Sequence, residues 1–301
     1  MNSKIILTKI IIVATLLWSC SVLKKESIMV EKQIEIRENK VKINYLQQGT
    51  GDTTLLFLHG WCLNSSYWKN QITYFSNNYS VYALDLTGFG NSISNRENWT
   101  IEEYAKDVSA FIEALDLKNV IIIGHSMSGE IMLQTALNGN ANIIGLVGVD
   151  NFKFIDVEFT PEQLEQFQVF FQLLQNDFKT NAPIYADNML FHPSTSSEIK
   201  ERIKSDFASS NPEIGFSSFM NVMQFSQLVP SKLEELPYKL QLINSNAMPT
   251  NKSGLEKHCK NGFEINNIGE TGHYPMLEKP TEFNQLLDSI LKNTSNTLYR
   301  K

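Results

Sequence analysis

Three observations predict an α/β fold with a mostly parallel central sheet flanked by helices and a helical cap inserted into it. Short unbroken apolar runs alternate with stretches of helical periodicity through residues 53–149 and again after residue 237. Such runs suit strands buried on both faces, as in parallel sheets covered by helices. Between them, residues 152–236 carry apolar side chains at helical intervals and no buried-strand run. The third observation is size: 301 residues, 42% hydrophobic and 19% charged, can enclose a large core.

The chain opens with a targeting pattern. Lys4 and Lys9 precede an apolar run from Ile10 to Trp18, interrupted only by Thr15. That run is too short for a bilayer core, which takes ~20 residues, and fits a secretory signal. Its end, Leu17-Trp18-Ser19-Cys20, resembles a bacterial lipobox. The resemblance implies a signal peptide over 1–19, cleavage before Cys20, a lipid on Cys20 and a tether over 20–33. It places the protein in the cell envelope, lipid-anchored to a bacterial membrane on its periplasmic or surface side. Whether Cys62 and Cys259 pair there is left open by the sequence.

The body follows. Gln33–Arg37 and Val41–Gln47 alternate about a short turn and read as a hairpin. Thr53–Leu58 is a buried strand, Ser66–Phe75 a helix, and Val81–Leu84 a second buried strand. Thr100 with Glu103 three residues on is a capping-box pattern opening a helix to Leu115. Asn119–Ile123 is a strand, Met127–Leu137 a helix, and Ile143–Val149 another strand. After the helical segment come strands at Leu240–Ile243 and Phe263–Ile265 and a helix over about Thr281–Leu291. The core is therefore expected over 34–151 and 237–292, with the cap over 152–236.

Composition removes some functions. The net charge is −6, with 26 Lys+Arg against 32 Asp+Glu, so there is no basic surplus for nucleic acid. Three cysteines without a C-x-x-C pair give no zinc framework.

The chemistry concentrates at strand ends. Gly124-His125-Ser126-Met127-Ser128-Gly129 directly follows a buried strand and directly precedes a helix. A chain that turns at once from strand to helix forces its corner residue into strain, and only small neighbours two residues away fit. The motif resembles the nucleophile elbow of the α/β-hydrolase family, with Ser128 where that family usually carries glycine. Leu58-His59-Gly60-Trp61 resembles its oxyanion loop, Asp85 to Ser92 its glycine turn, and Gly272-His273 its histidine loop. The resemblance implies Ser126 as nucleophile, His273 as base, and the backbone amides of Trp61 and Met127 as oxyanion donors. His59 and Asp85 are expected to be structural, and His125 to point away from the site.

The triad acid departs from the commonest pattern. After the strand Leu240–Ile243 the chain reads Asn244-Ser245-Asn246, with no carboxylate. Some family members place the acid one strand earlier, and Asp150 stands there. The expected catalytic set is Ser126, His273 and Asp150, with neither metal nor organic cofactor. The family's chemistry implies a small-molecule substrate. A small apolar carboxylic ester comes first; a lactone, a C–C bond or an aminoacyl substrate, or a fold retained for binding alone, stay open.

Overall fold

The computed structural model describes residues 27–298, residue 39 excepted. Cys20, the signal segment and most of the tether lie outside the described residues. β1 (Val30–Ile36) and β2 (Val41–Gln48) form the expected antiparallel hairpin. β1 begins at Val30 and so takes in the last residues assigned by sequence to the tether. β3 (Thr54–Leu58) is buried throughout. A single 3₁₀ turn, Ser65–Trp68, leads into α1 (Lys69–Phe75). β4 (Ser80–Leu84), the two-residue β5 (Ile93–Ser94) and α2 (Ile101–Ala114) follow. At the start of α2 the Thr100 side chain accepts from the Glu103 amide, the N-cap bond that the sequence pattern predicts.

β6 (Val120–His125), α3 (Ser128–Leu137) and β7 (Ile143–Val149) complete the first half of the core. The chain then leaves the sheet for α4 (Pro161–Asn176), α5 (Phe178–Met189), α6 (Ser197–Ser209), α7 (Pro212–Ser226) and α8 (Val229–Glu235). It returns through β8 (Leu240–Ser245), α9 (Lys252–His258), β9 (Phe263–Ile268), α10 (Pro275–Glu278) and α11 (Pro280–Leu298). A reciprocal capping box, Thr160 with Gln163, starts α4.

The strands run β1-β2-β4-β3-β6-β7-β8-β9, with β5 paired to β2. From β4 to β9 every neighbouring pair is parallel. The chain steps outward one way from β3 to β4 and the other way from β6 to β9, so the order reverses between β3 and β6. Crevices at such a reversal, beyond the carboxyl ends of the strands, are where open α/β sheets bind ligands. Register sets what meets there. Leu58 pairs with Gly124, and His125 with Val149. The loop after β3 therefore flanks the end of β6, and the end of β7 lies on its other side.

The cap is held over this edge by polar and aromatic contacts. The Tyr67 hydroxyl donates to Asp206 of α6 at 2.6 Å, and the Arg202 guanidinium lies 4.1 Å from the Tyr67 ring centre. Cys62 and Cys259 are both buried free thiols.

Candidate active site

Ser126 stands at the corner between β6 and α3 with φ +53°, a left-handed conformation that costs free energy in a non-glycine residue. The bend is held on both sides: the Ser126 amide donates to Val149 O at 3.0 Å, and Gly129 N donates to Ser126 O at 2.7 Å. A Cβ at Gly124 would run into the Ser128 backbone. Ser128, in place of the usual glycine, is buried and donates its hydroxyl to the His59 carbonyl at 2.5 Å. The family departure thus ties the corner to the loop after β3.

That loop approaches closely. A Cβ on Gly60 would sit 2.7 Å from His125 Nδ1 and 3.2 Å from Ser126 Cβ, so glycine is needed there. His59 is structural as expected: Leu86 N donates to its Nε2 at 2.8 Å, and its Nδ1 donates to Gly60 O at 2.8 Å. Burial holds this imidazole below its ordinary value and thus neutral. Asp85 is structural too, its carboxylate accepting from Ser65 N, Asn91 N and the Asn44 amide. The Trp61 indole donates to Gly215 O of α7 at 2.8 Å and packs on Phe207 and Phe219. Met127 is the N-cap of α3, where amides lack intrahelical acceptors and the helix dipole favours negative charge.

His273 lies in the loop after β9. Its Nδ1 donates to Asp150 Oδ2 at 2.6 Å. Its backbone is fixed from two sides, its amide donating to Leu190 O of the cap at 2.8 Å. Glu278 accepts from the Gly272 and Tyr274 amides that flank it. Gly272 is required because a side chain there would press on Leu190 O and His192 N.

His125 does not point away. Its Nε2 donates to His273 O at 2.7 Å, and its ring centre lies 4.8 Å from that of His273. Burial, and then the neighbouring His273, push the His125 imidazole down to about 3, so it stays neutral and orients the loop.

The carboxylate comes from Asp150, 4% exposed, at the end of β7. Oδ1 accepts from the Ser245 amide at 2.8 Å and lies 2.6 Å from the Lys153 ammonium. Burial alone would raise this carboxyl, but His273 and then Lys153 outweigh it and hold it at about 2. Asn246 is exposed at the end of β8, its amide donating to Ile268 O. The strand that carries the acid in the commoner arrangement here supplies backbone groups around Asp150.

Two supporting residues escape a reading of the sequence. Asn151 is buried beneath the corner and donates to Gly124 O at 2.9 Å. A side chain at Gly129 or Gly148 would collide with it. Lys153 is the other: a lysine just past a strand reads as surface charge, and only the fold brings it to Asp150.

Ser126 and His273 border one cavity of about 40 Å³, with Trp61, Tyr185, Phe207 and Phe219 among its walls. A site needs about 10–15 Å³ of such space to admit one water, so this cavity is small. A larger open groove of about 700 Å³ lies on the cap among Phe159, Phe167, Phe171 and Met223. Neither Ser126, Asp150 nor His273 lines it. The Ser126–His273 pair borders the small cavity and not the larger one.

A model of the alpha/beta hydrolase fold matches residues 53–227. The chain belongs to the α/β-hydrolase family. Among curated family relatives, a non-heme chloroperoxidase of Burkholderia pyrrocinia is 37% identical over 94 residues, 31% of this chain and 34% of that protein. A bifunctional esterase/perhydrolase of Acinetobacter calcoaceticus is 30% identical over 152 residues, 49% of this chain and 55% of that protein. The chain thus spans about a third to a half of these relatives' lengths. Among solved structures, a bromoperoxidase from Bacillus anthracis superposes with TM-score 0.74 at 21% identity, covering 87% of this chain and all (100%) of that one. A thermophilic esterase from Thermogutta terrifontis gives 0.72 at 20%, covering 88% and 99%. These likenesses extend the shared fold across the cap and the second half of the core.

Proposed function

We propose that the protein is a serine hydrolase that cleaves small apolar carboxylic esters through an acyl-enzyme. One observation carries the proposal: a strained serine at a strand–helix corner shares a cavity with an imidazole already held by a buried carboxylate. In the proposed cycle His273 takes the Ser126 proton as Oγ attacks the carbonyl carbon. The amides of Trp61 and Met127 hold the oxyanion. His273 then gives the proton to the departing alcohol. It next takes one from water, whose hydroxyl adds to the acyl carbon, and gives it to Ser126 Oγ as the acid is released.

The named relatives that are esterases support the ester substrate. The size of the cavity, about 40 Å³, supports a short acyl group. A fluorophosphonate probe should label the folded protein at Ser126 and leave Ser126→Ala unlabelled. Acetyl esters should exceed octanoyl esters at least about tenfold in kcat/KM, because longer chains must displace cap aromatics. A folded wild type that resists the probe would mean that the fold serves binding instead.

The lipid anchor on Cys20 and an envelope location belong to the same proposal, supported by Lys4, Lys9, the apolar run and the cysteine that ends it. No helix among the described residues is long and apolar enough to cross a membrane. Cys20→Ser should release the protein from the membrane fraction; unchanged retention would remove the anchor from the proposal.

A further inference from the structure

Lys153 is 5% exposed, inside the polypeptide just beyond Asp150. A buried ammonium is costly unless paired and hydrogen-bonded, and this one is both. It lies 2.6 Å from Asp150 Oδ1 and donates to the Ser245 carbonyl at 3.0 Å. Its backbone is pinned as well, the Lys153 carbonyl accepting from Asn251 N at 2.8 Å.

We propose that Lys153 is a positioning residue of the Ser126 centre: its ammonium clamps Oδ1 of Asp150 so that Oδ2 faces His273, and its charge disfavours the imidazolium. This rests on the reading of Ser126 as nucleophile. The geometry supplies the first half. With Oδ1 bound by Ser245 N and Lys153, the carboxylate cannot turn its other oxygen away from Nδ1.

The second half is electrostatic. An aspartate facing an imidazolium makes a neutral pair; with Lys153 behind it, the protonated centre carries a net positive charge. His273 must be neutral to take the serine proton, so the cation widens the range in which the base is ready toward lower pH. The other groups around His273 do not supply this charge. His125, from β6, is held neutral by burial. Burial raises the phenols of Tyr274, beside it, and Tyr185, on α5 across the cavity, so both stay neutral. Glu278 of α10 faces the loop backbone, where it accepts from the Gly272 and Tyr274 amides.

The test is the pH dependence of fluorophosphonate inactivation of the full chain, in wild type, Lys153→Met and Lys153→Gln. The acid limb should move up by about one pH unit in both variants, as expected for the loss of a nearby cation. The plateau rate should fall about tenfold in Lys153→Met. It should fall less in Lys153→Gln, which keeps a donor for Oδ1. A merely structural lysine would lower the plateau or the melting temperature and leave the limb in place, and that result overturns the proposal. The ring-proton NMR titration of His273 in the same proteins needs no reaction. If wild type does not react, the reading of Ser126 fails; an His273 titration that stays put in the variants would then overturn the role of Lys153 independently.

Discussion

Among the described residues two imidazoles sit against carboxylates, and only one of them borders Ser126. His273 Nδ1 is 2.6 Å from Asp150 Oδ2. His258 has both ring nitrogens engaged, Nδ1 at 2.7 Å from Glu234 Oε1 and Nε2 at 2.9 Å from Asp156 Oδ2. By hydrogen bonds alone His258 is the better provided. That leaves neither ring nitrogen of His258 for a third partner. His273 spends Nδ1 on the carboxylate, and its ring borders the same cavity as Ser126. The carboxylates differ as well. The Asp150 side chain is 2% exposed, against 31% for Asp156 and 42% for Glu234. Water screens the second set, whose work is to tie the two strands of chain at the root of the cap to α9. A histidine between carboxylates is therefore not a site by itself. What sets His273 apart is an enclosed carboxylate and a cavity shared with the strained Ser126.

The largest effect expected from this contrast is on turnover. Asp150→Asn should lower kcat about 10⁴-fold, because the amide no longer favours the productive tautomer or balances the imidazolium. Asp156→Asn, the matching change at the other imidazole, should leave kcat within about twofold and lower the melting temperature by a few degrees. Steady-state rates on an acetyl ester, beside thermal melts of the same proteins, measure both. Equal losses of kcat in the two variants would break the distinction between the sets.

The sequence disclosed the first set and not the second for a physical reason. Ser126 and His273 stand in local patterns, a corner between small residues and a glycine–histidine turn, whose backbone demands leave a mark on neighbouring residue types. Asp150 was legible because chain order and a strand end restrict where an acid can stand, although Asn246 occupied the commoner place. The strands β3, β4, β6 and β7 were legible because burial on both faces makes them continuously apolar. The two-residue β5 left no period to read, and α9 is short and broken by Gly254, which packs against the Ile155 backbone. Lys153, Asn151 and the turn of His125 toward His273 depend on contacts between strands far apart in sequence. Their residue types fit surface or turn positions equally well, so only register and burial reveal them.

A fourth carboxyl sharpens the contrast at the smallest scale. Glu130 lies one helical turn past Ser126, and burial pushes its carboxyl up to about 8. Part of the residue reaches the surface, but enough protein surrounds the carboxyl to disfavour its charge. Its only opposing influence is its own backbone amide, whereas Asp150 has an imidazole and an ammonium. The sign of the pH effect follows. Below the unfolded value near 4.5, both states hold the proton and stability does not respond. From there to about 8 the unfolded chain loses its proton while the folded chain keeps it, so the unfolded state binds fewer protons and stability falls as pH rises. Glu130→Gln removes that loss. The variant should melt higher than wild type, with the gap wider at pH 8 than at pH 5 on thermal melts. A gap that is constant with pH, or that narrows toward pH 8, would show that Glu130 is ionised in the folded protein and has a partner after all.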